Sequence, residues 1–237
     1  MHSMKRLARA LAIAATLQLL FAGGQTLQGQ QLPTVFRAGY AGDQLKSWRS
    51  VKLATRANRF SVVDEDGASV LRIDSERSAS ALYYDVNRKR RQVGKVAWRW
   101  KIDRSLTGEA PERTKRGDDY AARFFVVFDG EPFSRTARAI CYVWAASELV
   151  GSTYRNPYFS DVVTIVLESG NARRGKWVPE ERDFIRDYKA AFGSLPESVS
   201  AIAVMVDTDN TRSRATAWFD VIIVKPPSQS ESATPDN

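Results

Sequence analysis

The stretch RGDDYAARFFVVFDG, residues 116–130, contains an almost entirely apolar run that directly follows two adjacent aspartates. The length of the run and its aromatic and β-branched residues predict a buried strand over residues 120–128. Because side chains alternate between the two faces of a strand, the even-numbered residues of this run are expected to face the core. Arg123 lies on the opposite face beside Phe125 and Val127. This arrangement predicts a semi-enclosed surface around a charged side chain.

Further runs of the same kind extend along the chain, separated by turn signals such as Asp66-Gly67 and Asn156-Pro157. Short strands at this spacing are typical of two packed antiparallel sheets. The predicted fold class is therefore all-β, an antiparallel β-sandwich of jelly-roll-like form. The runs are RFSVVDE, SVLRIDSE, SALYYDVN, KVAWRWKID, AICYVWAA, DVVTIVLESG, VSAIAVMVD and ATAWFDVIIV.

One α-helix is predicted near residues 179–192, packed against the sandwich. Proline and two glutamates occupy its expected first turn, and Gly193 follows its expected last residue, as at many helix termini. The apolar residues of the segment recur at helical spacing and form one face. They are Phe184, Ile185, Tyr188 and Phe192.

Residues 1–22 combine a basic start, an apolar run and a small-residue end, which is typical of a secretory signal peptide. The apolar run is shorter than a membrane-spanning helix requires, which favours a cleaved signal peptide over the alternative of an uncleaved anchor. After cleavage no transmembrane span is expected. The composition predicts a polar linker at residues 23–33, a single sandwich domain at 34–225 and a disordered tail at 226–237. The protein is therefore expected to be exported.

The sequence contains one histidine, His2, and one cysteine, Cys141. His2 lies within the predicted signal peptide, so the mature chain would have no imidazole for a catalytic triad, a general base or a metal site. Cys141 lies inside a predicted strand, where a small core residue is expected rather than a reactive thiol. Any bound metal is expected to be a hard cation held by oxygen atoms, with calcium before magnesium.

The formal net charge is +8 for the whole chain and falls to about +5 without the predicted signal peptide. This excess is too small to indicate nucleic acid as a partner. It gives a modest electrostatic preference for anionic ligands.

Three charged side chains surround the start of the strand in the opening stretch. Asp118 and Asp119 end a long loop of residues 104–117, and Arg123 follows inside the strand. In a structural interpretation the aspartates bind backbone amides or basic groups, and Arg123 forms a semi-buried ion pair. In a functional interpretation the loop frames a binding site, because long loops within compact domains are often functional. The two interpretations are compatible.

A second strand, KVAWRWKID, places Arg99 and Lys101 on the face opposite its tryptophans. If this strand neighbours the strand of Arg123, the three basic side chains form one face. That face could bind a ligand, or it could simply be solvated.

The chain has six tryptophans. Trp48 and Trp177 lie nearer the ends of predicted elements and are the better candidates for stacking on a ligand. The other tryptophans lie within strand patterns and are predicted core residues. They are Trp98, Trp100, Trp144 and Trp218.

The polar turn VDTDNT carries a candidate cation site. Asp207 and Asp209 share strand parity and would lie about 6.6 Å apart in an extended chain, so with Asn210 they could hold calcium. An EF-hand is excluded, because Arg212 and Trp218 occupy the positions of its required glycine and glutamate. The alternative is a hairpin in which these side chains cap backbone amides.

Several motifs occur in an order that resembles the bacterial family called domain of unknown function 3047 (DUF3047). The resemblance covers residues 36–224 and implies an exported bacterial protein, periplasmic or secreted, with a β-sandwich fold. The final hairpin and the preceding helix are also similar to galactose-binding-like jelly rolls, which include carbohydrate-binding modules. The motifs are WRWKID, RGDDYAARFFVVF, YVW, NPY, GKW, ERDFIRDYKAAFG and VDTDNT.

Three functional hypotheses follow. The first is a non-catalytic module that binds an envelope or extracellular polysaccharide, possibly an anionic one, through aromatic and arginine side chains. The second is a histidine-independent hydrolase that uses two carboxylates, or a lyase with Tyr120 or Lys101 as base and Arg123 neutralising a uronate. The third is a structural or assembly factor that binds an envelope protein. The candidate carboxylates of the hydrolase are Asp118, Asp119, Glu148, Asp207 and Asp209.

Overall fold

The structure is a computed structural model that describes residues 34–227 with the exception of residues 107, 109 and 135. The predicted signal peptide and linker, and most of the predicted tail, lie outside the described residues. Within the described part, no helix is both long enough and apolar enough to cross a bilayer.

The described residues form fourteen strands, a short 3₁₀ helix at Gly42–Ser47 and an α-helix, α1, at Phe184–Phe192. The strands are β1 Phe36–Ala38, β2 Trp48–Lys52, β3 Arg59–Glu65, β4 Ala68–Glu76, β5 Ala79–Lys89, β6 Lys95–Ile102, β7 Tyr120–Phe128, β8 Arg138–Ala145, β9 Thr153–Arg155, β10 Val162–Ser169, β11 Val178–Asp183, β12 Ser198–Asp207, β13 Arg214–Phe219 and β14 Ile222–Lys225.

The strands build two sheets that pack face to face. The first sheet has the order β1-β14-β6-β13-β4-β3, and β11 pairs with the other edge of β6. The second sheet has the order β2-β5-β12-β7-β8-β10-β9. Among the pairings of the described residues, β8 with β10 is parallel and the others are antiparallel. The antiparallel β-sandwich is therefore confirmed.

Each predicted strand run forms a strand, and the last run is divided into β13 and β14. The sequence did not predict β1, β2 and β9, which are only three to five residues long. Such short segments show too little alternation to be recognised.

The α-helix is shorter than predicted. It begins at Phe184, and Val178–Asp183 forms strand β11 along β6 instead of the first helical turns. This pairing satisfies backbone groups at an edge of β6 that would otherwise be open. The helix is capped by Asp183, whose carboxylate accepts a hydrogen bond from the Arg186 N–H at 3.0 Å. Its predicted end is confirmed, because Gly193 takes a left-handed φ of 77°.

Aromatic and aliphatic side chains fill the space between the sheets. Trp98 of β6 stacks on Phe124 of β7 with ring centroids 4.4 Å apart. Trp100 and Trp144 are also fully buried, so the core prediction is confirmed for these three tryptophans. The even-numbered residues 122–128 of β7 point into this core as predicted. Each large side chain buried here contributes roughly 2–3 kcal/mol.

The outer face of the second sheet carries another buried cluster, called here the outer cluster. Its members include Phe125 and Val127 of β7, Cys141 of β8 and Met205 of β12. Strand β7 is consequently buried along its whole length on both faces. The same burial raises the pKa of the Cys141 thiol to about 12. The prediction that Cys141 is a core residue is confirmed.

A β-bulge reverses the alternation at the start of β7. Met205 of β12 lies opposite Arg123 and Asp207 lies opposite Tyr120, so β7 has one more residue than β12 between these pairs. Tyr120 therefore belongs to the outer cluster, while Ala121 belongs to the core between the sheets. The predicted inward orientation of Tyr120 is wrong, because alternation along the sequence does not reveal a bulge.

A half-buried carboxyl group lies at the edge of the sandwich. Glu180 of β11 lies opposite Trp98 of β6. Its Oε1 is buried and has no hydrogen-bond partner within the described part of the chain. Burial, followed by the negative charge of Glu168, raises the pKa of Glu180 to about 7.

A carboxyl group whose pKa is raised by folding favours the folded state only while it is protonated. The free energy of unfolding should therefore fall as the pH rises from 4.5, the ordinary pKa, to about 7. Glu180→Gln removes this loss. The variant should match the wild type near the lower pH and exceed it by roughly 1–2 kcal/mol above the upper one, less than the full shift because water reaches part of the group. Urea unfolding across this range measures the difference.

The control is Glu181→Gln, which removes the same charge from an exposed position on the same strand. A stability gain in Glu180→Gln that does not grow with pH, or that grows equally in the control, would contradict the prediction.

Candidate functional site

A groove of about 600 Å³ lies on the outer face of the second sheet. Its floor is formed by Phe125 and Val127 of β7, Ala139 of β8 and Met205 of β12. Ala139 stands opposite Val127 in the sheet, and its small side chain leaves space above the floor. The floor is therefore apolar and fixed by the rigid strands beneath it.

Two aromatic side chains stand at the rim of the groove, on the loop between β9 and β10. Tyr158 is 47% exposed and Phe159 is 55% exposed. Leu53, which follows β2 at the other side of the sheet, is 46% exposed and also lines the groove. Exposed apolar groups beside an apolar floor form a surface on which a ligand ring can pack.

The aromatic loop is held by a buried amide. The Asn156 side-chain oxygen accepts hydrogen bonds from the N–H groups of Tyr158 and Phe159 at 2.9 and 3.1 Å. The Asn156 side-chain nitrogen donates to the Asp118 carboxylate at 2.8 Å. The Tyr158 hydroxyl donates to the Lys115 carbonyl at 2.9 Å. The rim is thus connected to the polar groups at the start of β7.

The polar end of the groove is built around Arg123, whose side chain is only 4% exposed. The guanidinium donates to the Asp207 carboxylate at 2.9 Å and to the backbone carbonyl of Asp118. The Asp118 carboxylate lies 3.4 Å away, and the Tyr120 ring centroid lies 4.4 Å from the guanidinium carbon. Arg123 forms the predicted ion pair, but more deeply than expected, because the outer cluster covers this face.

The two carboxylates beside Arg123 are themselves desolvated. Burial raises the pKa of Asp118, although the Arg123 charge opposes this. Burial also holds the pKa of Asp207 well above its ordinary value, with Asp119 and Asp209 adding negative charge. Oδ1 of Asp118 and Oδ1 of Asp207 are buried without a hydrogen-bond partner in the described structure, although the Asp118 oxygen is the one that lies 3.4 Å from Arg123. The end of the groove therefore retains unused acceptor capacity.

Asp119 has different partners from Asp118 and holds the turn between β12 and β13. Its carboxylate accepts hydrogen bonds from the N–H of Asn210 at 3.3 Å and from the N–H and hydroxyl of Thr211, both at 2.6 Å. Ligand oxygens of Asp119, Asp207 and Asp209 all lie within 4.8 Å of one another. The structure thus brings together the two aspartates of the predicted cation site and adds Asp119.

The predicted loop before β7 reaches the groove through Lys115. The Lys115 carbonyl accepts hydrogen bonds from the Tyr158 hydroxyl and from the Asn210 side-chain amide. The loop is anchored by Glu112, whose carboxylate accepts hydrogen bonds from the N–H groups of residues 146–148. The loop therefore supports the rim of the groove through Lys115 and fixes the local geometry, as the structural interpretation proposed. That it frames a binding site stays a prediction. The Asn210 amide nitrogen is already engaged by the loop.

The predicted basic face is wrong. Arg99 and Lys101 belong to β6 in the first sheet, whereas Arg123 belongs to β7 in the second sheet. Their side chains point outward from the two sheets, so they lie on opposite sides of the sandwich. Arg99 pairs with Asp220, and Lys101 pairs with Glu65 at 2.6 Å.

The two stacking candidates also lie away from the groove. Trp48 is 6% exposed, packs against Tyr40 and donates from Nε1 to the Gly39 carbonyl at 2.9 Å. Its predicted role in stacking on a ligand is therefore wrong. Trp177 is half-buried on the outer face of the first sheet, with the Lys101 ammonium 5.0 Å from its ring centroid.

Trp218 lies on that same outer face of the first sheet. Its ring centroid is 4.6 Å from the Lys101 ammonium, and the residue is only half-buried. The prediction of Trp218 as a core residue is wrong, because its position on β13 faces away from the core.

The sequence interpretation missed the aromatic rim. It treated Asn156-Pro157 only as a turn, although Tyr158 and Phe159 follow directly. Two adjacent aromatic residues in a loop have no alternation that separates exposed from buried side chains, so the pattern alone does not identify them. Phe133, in the β7–β8 loop, also lines the groove.

Removal of Arg123 should test how far the polar end supports the fold. Arg123→Ala leaves two buried carboxylates without their counter-charge, so the free energy of unfolding should fall by about 3–5 kcal/mol. Urea denaturation followed by tryptophan fluorescence measures this loss.

The matched control is Arg59→Ala, because Arg59 pairs with Asp74 from a side chain that is 78% exposed. That variant should lose about 1 kcal/mol or less. Equal losses in the two variants would mean that Arg123 has no special structural role.

Solved structures with a similar backbone trace include three different kinds of protein. The family 11 carbohydrate-binding module of a Clostridium thermocellum cellulosomal cellulase has 8% identity and a TM-score of 0.43, with 84% of this chain and 97% of that one covered. An endoglucanase from Rhodothermus marinus has 14% identity and a TM-score of 0.44, with 76% and 92% covered. The K3 adhesin domain of Lys-gingipain from Porphyromonas gingivalis has 13% identity and a TM-score of 0.44, with 81% and 99% covered. None of them supplies a residue role or a ligand for this chain.

No curated protein matches the sequence. The family model described as "Protein of unknown function (DUF3047)" matches residues 46–223, which is most of the chain. The resemblance noted from the motifs is thereby confirmed, and the chain belongs to the DUF3047 family.

Proposed function

We propose that this protein is a non-catalytic module that binds a polysaccharide in the groove of the second sheet. The observation that carries the proposal is the combination of exposed aromatic rings at the rim with a buried, incompletely satisfied polar cluster at one end. The predicted signal peptide supports an exported protein, so the ligand is expected in the envelope or outside the cell.

A sugar ring matches this combination of surfaces. Its CH face can pack on an aromatic side chain, and Tyr158 and Phe159 present such faces at the rim. Its hydroxyl groups both donate and accept hydrogen bonds. At the polar end, Asp207 has a buried oxygen that lacks a donor among the described residues, and the corresponding oxygen of Asp118 has only the 3.4 Å ion pair with Arg123. The volume of about 600 Å³ is within the ordinary range for ligand sites.

The charges of the described residues that line the groove favour a neutral ligand over an anionic one. Arg123 is balanced by Asp118 and Asp207, and Asp209 adds a further carboxylate to the lining. A negatively charged sugar would be repelled unless a cation lay between it and these groups. The anionic preference suggested by the net charge of the chain therefore does not apply to this site without a cation.

The same arrangement favours binding over catalysis. A two-carboxylate glycosidase needs one carboxyl as acid and another as base or nucleophile. Here Asp118 and Asp207 share the Arg123 guanidinium, which holds them in a structural ion-pair cluster. The enzyme and protein-partner hypotheses are retained as outcomes of the binding experiment.

The test is retention of the full chain on immobilised bacterial polysaccharides, including peptidoglycan and acidic exopolysaccharides, at low and high salt. At least one polymer should retain the protein at both salt concentrations, because stacking is not screened by ions. On that polymer, Tyr158→Ala and Phe159→Ala should each weaken binding roughly tenfold, which corresponds to about 1.4 kcal/mol. Affinity electrophoresis or depletion isotherms give the ratio.

Two variants serve as controls. Leu149→Ala changes a residue that is 77% exposed outside the groove and should leave binding unchanged. Trp177→Ala tests the outer face of the first sheet, and a loss of binding confined to this variant would place the ligand there instead. Release of reducing ends from the retained polymer would favour the enzyme hypothesis. Absence of retention on all polymers would favour a protein partner.

A further inference from the structure

We propose that Asp119, Asp207 and Asp209 form a calcium site at the polar end of the groove. The site would bind calcium in the absence of a sugar. Its role in holding a sugar, described below, rests on the proposed function.

The positions of the three carboxylates fit a common ion. Their ligand oxygens all lie within 4.8 Å of one another. Calcium binds oxygen at 2.3–2.6 Å, so two oxygens on one ion are separated by up to about 5 Å. The three side chains come from the residue before β7, the end of β12 and the following turn. Their approach is a result of the fold and is not caused by sequence proximity alone.

Asp207 provides an independent indication of a missing partner. One of its oxygens, Oδ2, accepts a hydrogen bond from Arg123 at 2.9 Å. The other, Oδ1, is buried and lacks a hydrogen-bond partner within the described residues, and Asp207 as a whole is 8% exposed. A buried carboxylate oxygen without a partner is costly. A cation on the side away from Arg123 would satisfy it.

The carboxylates also need compensation whenever they are ionised. Among the described residues, the charged side chains that line the groove are one arginine and several aspartates, and Asp119 adds a carboxylate next to them. Arg123 is already placed between Asp118 and Asp207. A divalent cation between Asp119, Asp207 and Asp209 would balance the remaining negative charge in a region with little water.

The site is preorganised and selects for calcium by its ligands. Asp119 is fixed by the N–H groups of Asn210 and Thr211 and by the Thr211 hydroxyl. The three protein ligands identified here are carboxylates, which hard cations prefer, and an irregular geometry suits calcium better than magnesium. This set agrees with the sequence prediction for Asp207 and Asp209 and extends it to Asp119. The Asn210 amide nitrogen holds the loop before β7. The predicted role of its amide oxygen as a further calcium ligand stays a prediction.

Three carboxylates do not fill the coordination shell of calcium, which takes six to eight oxygens. Asp207 and Asp209 line the groove, so the remaining positions would face it. A pair of sugar hydroxyls, or a sugar carboxylate, could replace water there. If the groove binds polysaccharide as proposed, calcium would therefore strengthen binding and allow an anionic sugar to be accepted.

The first experiment measures calcium alone on the full chain after treatment with a chelator. Isothermal titration should give one calcium per chain, and the melting temperature should rise by roughly 5 °C at a hundredfold excess over the dissociation constant. Asp209→Asn should weaken calcium binding at least tenfold. Asp209 is chosen because it is only half-buried and makes no contact with Arg123 among the salt bridges described. Asp161→Asn is the matched control, since Asp161 also lines the groove but lies outside the three-carboxylate set.

Two results would overturn the calcium site. One is a folded wild-type chain whose melting temperature and titration heat do not respond to calcium up to about 5 mM, above the range of weak extracellular sites. The other is an Asp209→Asn variant that is more stable than the wild type by the same amount with and without calcium. That outcome would mean that the carboxylates only repel one another.

The second experiment repeats polysaccharide retention with calcium and with chelator. Weaker retention in chelator, reproduced by Asp209→Asn and not by Asp161→Asn, supports the bridging role. If the protein binds calcium but its retention is the same with calcium and with chelator, the bridging role is rejected and the calcium site itself is not. A different result would contradict the proposed function itself: the protein binds calcium but is not retained on any polymer, with or without chelator.

Discussion

The placement of a guanidinium inside a fully buried strand is the constraint on which the site depends. Arg123 is desolvated because β7 is covered on both faces, and such a charge persists only with close counter-charges. Asp118 reaches it from the preceding loop, and Asp207 reaches it from the neighbouring strand β12. The bulge that turns Tyr120 toward the guanidinium belongs to the same arrangement. The polar end of the groove is consequently a condition for burying β7 as well as a candidate binding surface.

The sandwich was predictable because the sequence signals for its strands and turns lie close together in the chain. Alternation and turn residues lie within short windows, so the strand over residues 120–128 and the end of the helix at Gly193 were correctly predicted. The start of the helix was not, because β11 is determined by an open edge of β6 that is distant in sequence. The assignment of Arg99 and Arg123 to one face failed for the same reason. Strand neighbours are chosen by tertiary pairing, which one sequence does not display.

The candidate site was predictable in its charged part and not in its aromatic part. Asp118, Asp119 and Arg123 were recognised because charges next to a buried strand are unusual. Asp207 and Asp209 were recognised from the polar turn, but their approach to Asp119 depends on the register between β7 and β12. The aromatic rim belongs to a loop, where no periodicity indicates which side chains are exposed. Burial of Trp48 likewise depends on its contacts with Tyr40 and Tyr84, which come from other parts of the chain.

The two outer faces of the sandwich differ in what a ligand could gain from them. On the first sheet the charges are matched, since Arg99 binds Asp220, Lys101 binds Glu65, and the aromatic rings there are covered by these cations. A ligand would have to break these contacts before it formed its own. On the second sheet, Oδ1 of Asp207 has no described partner and the rim rings are exposed. Binding there would satisfy groups that folding has already removed from water. The ligand would therefore not have to displace water from them. This asymmetry, and not the number of aromatic or charged residues, is the physical reason for placing the function in the groove.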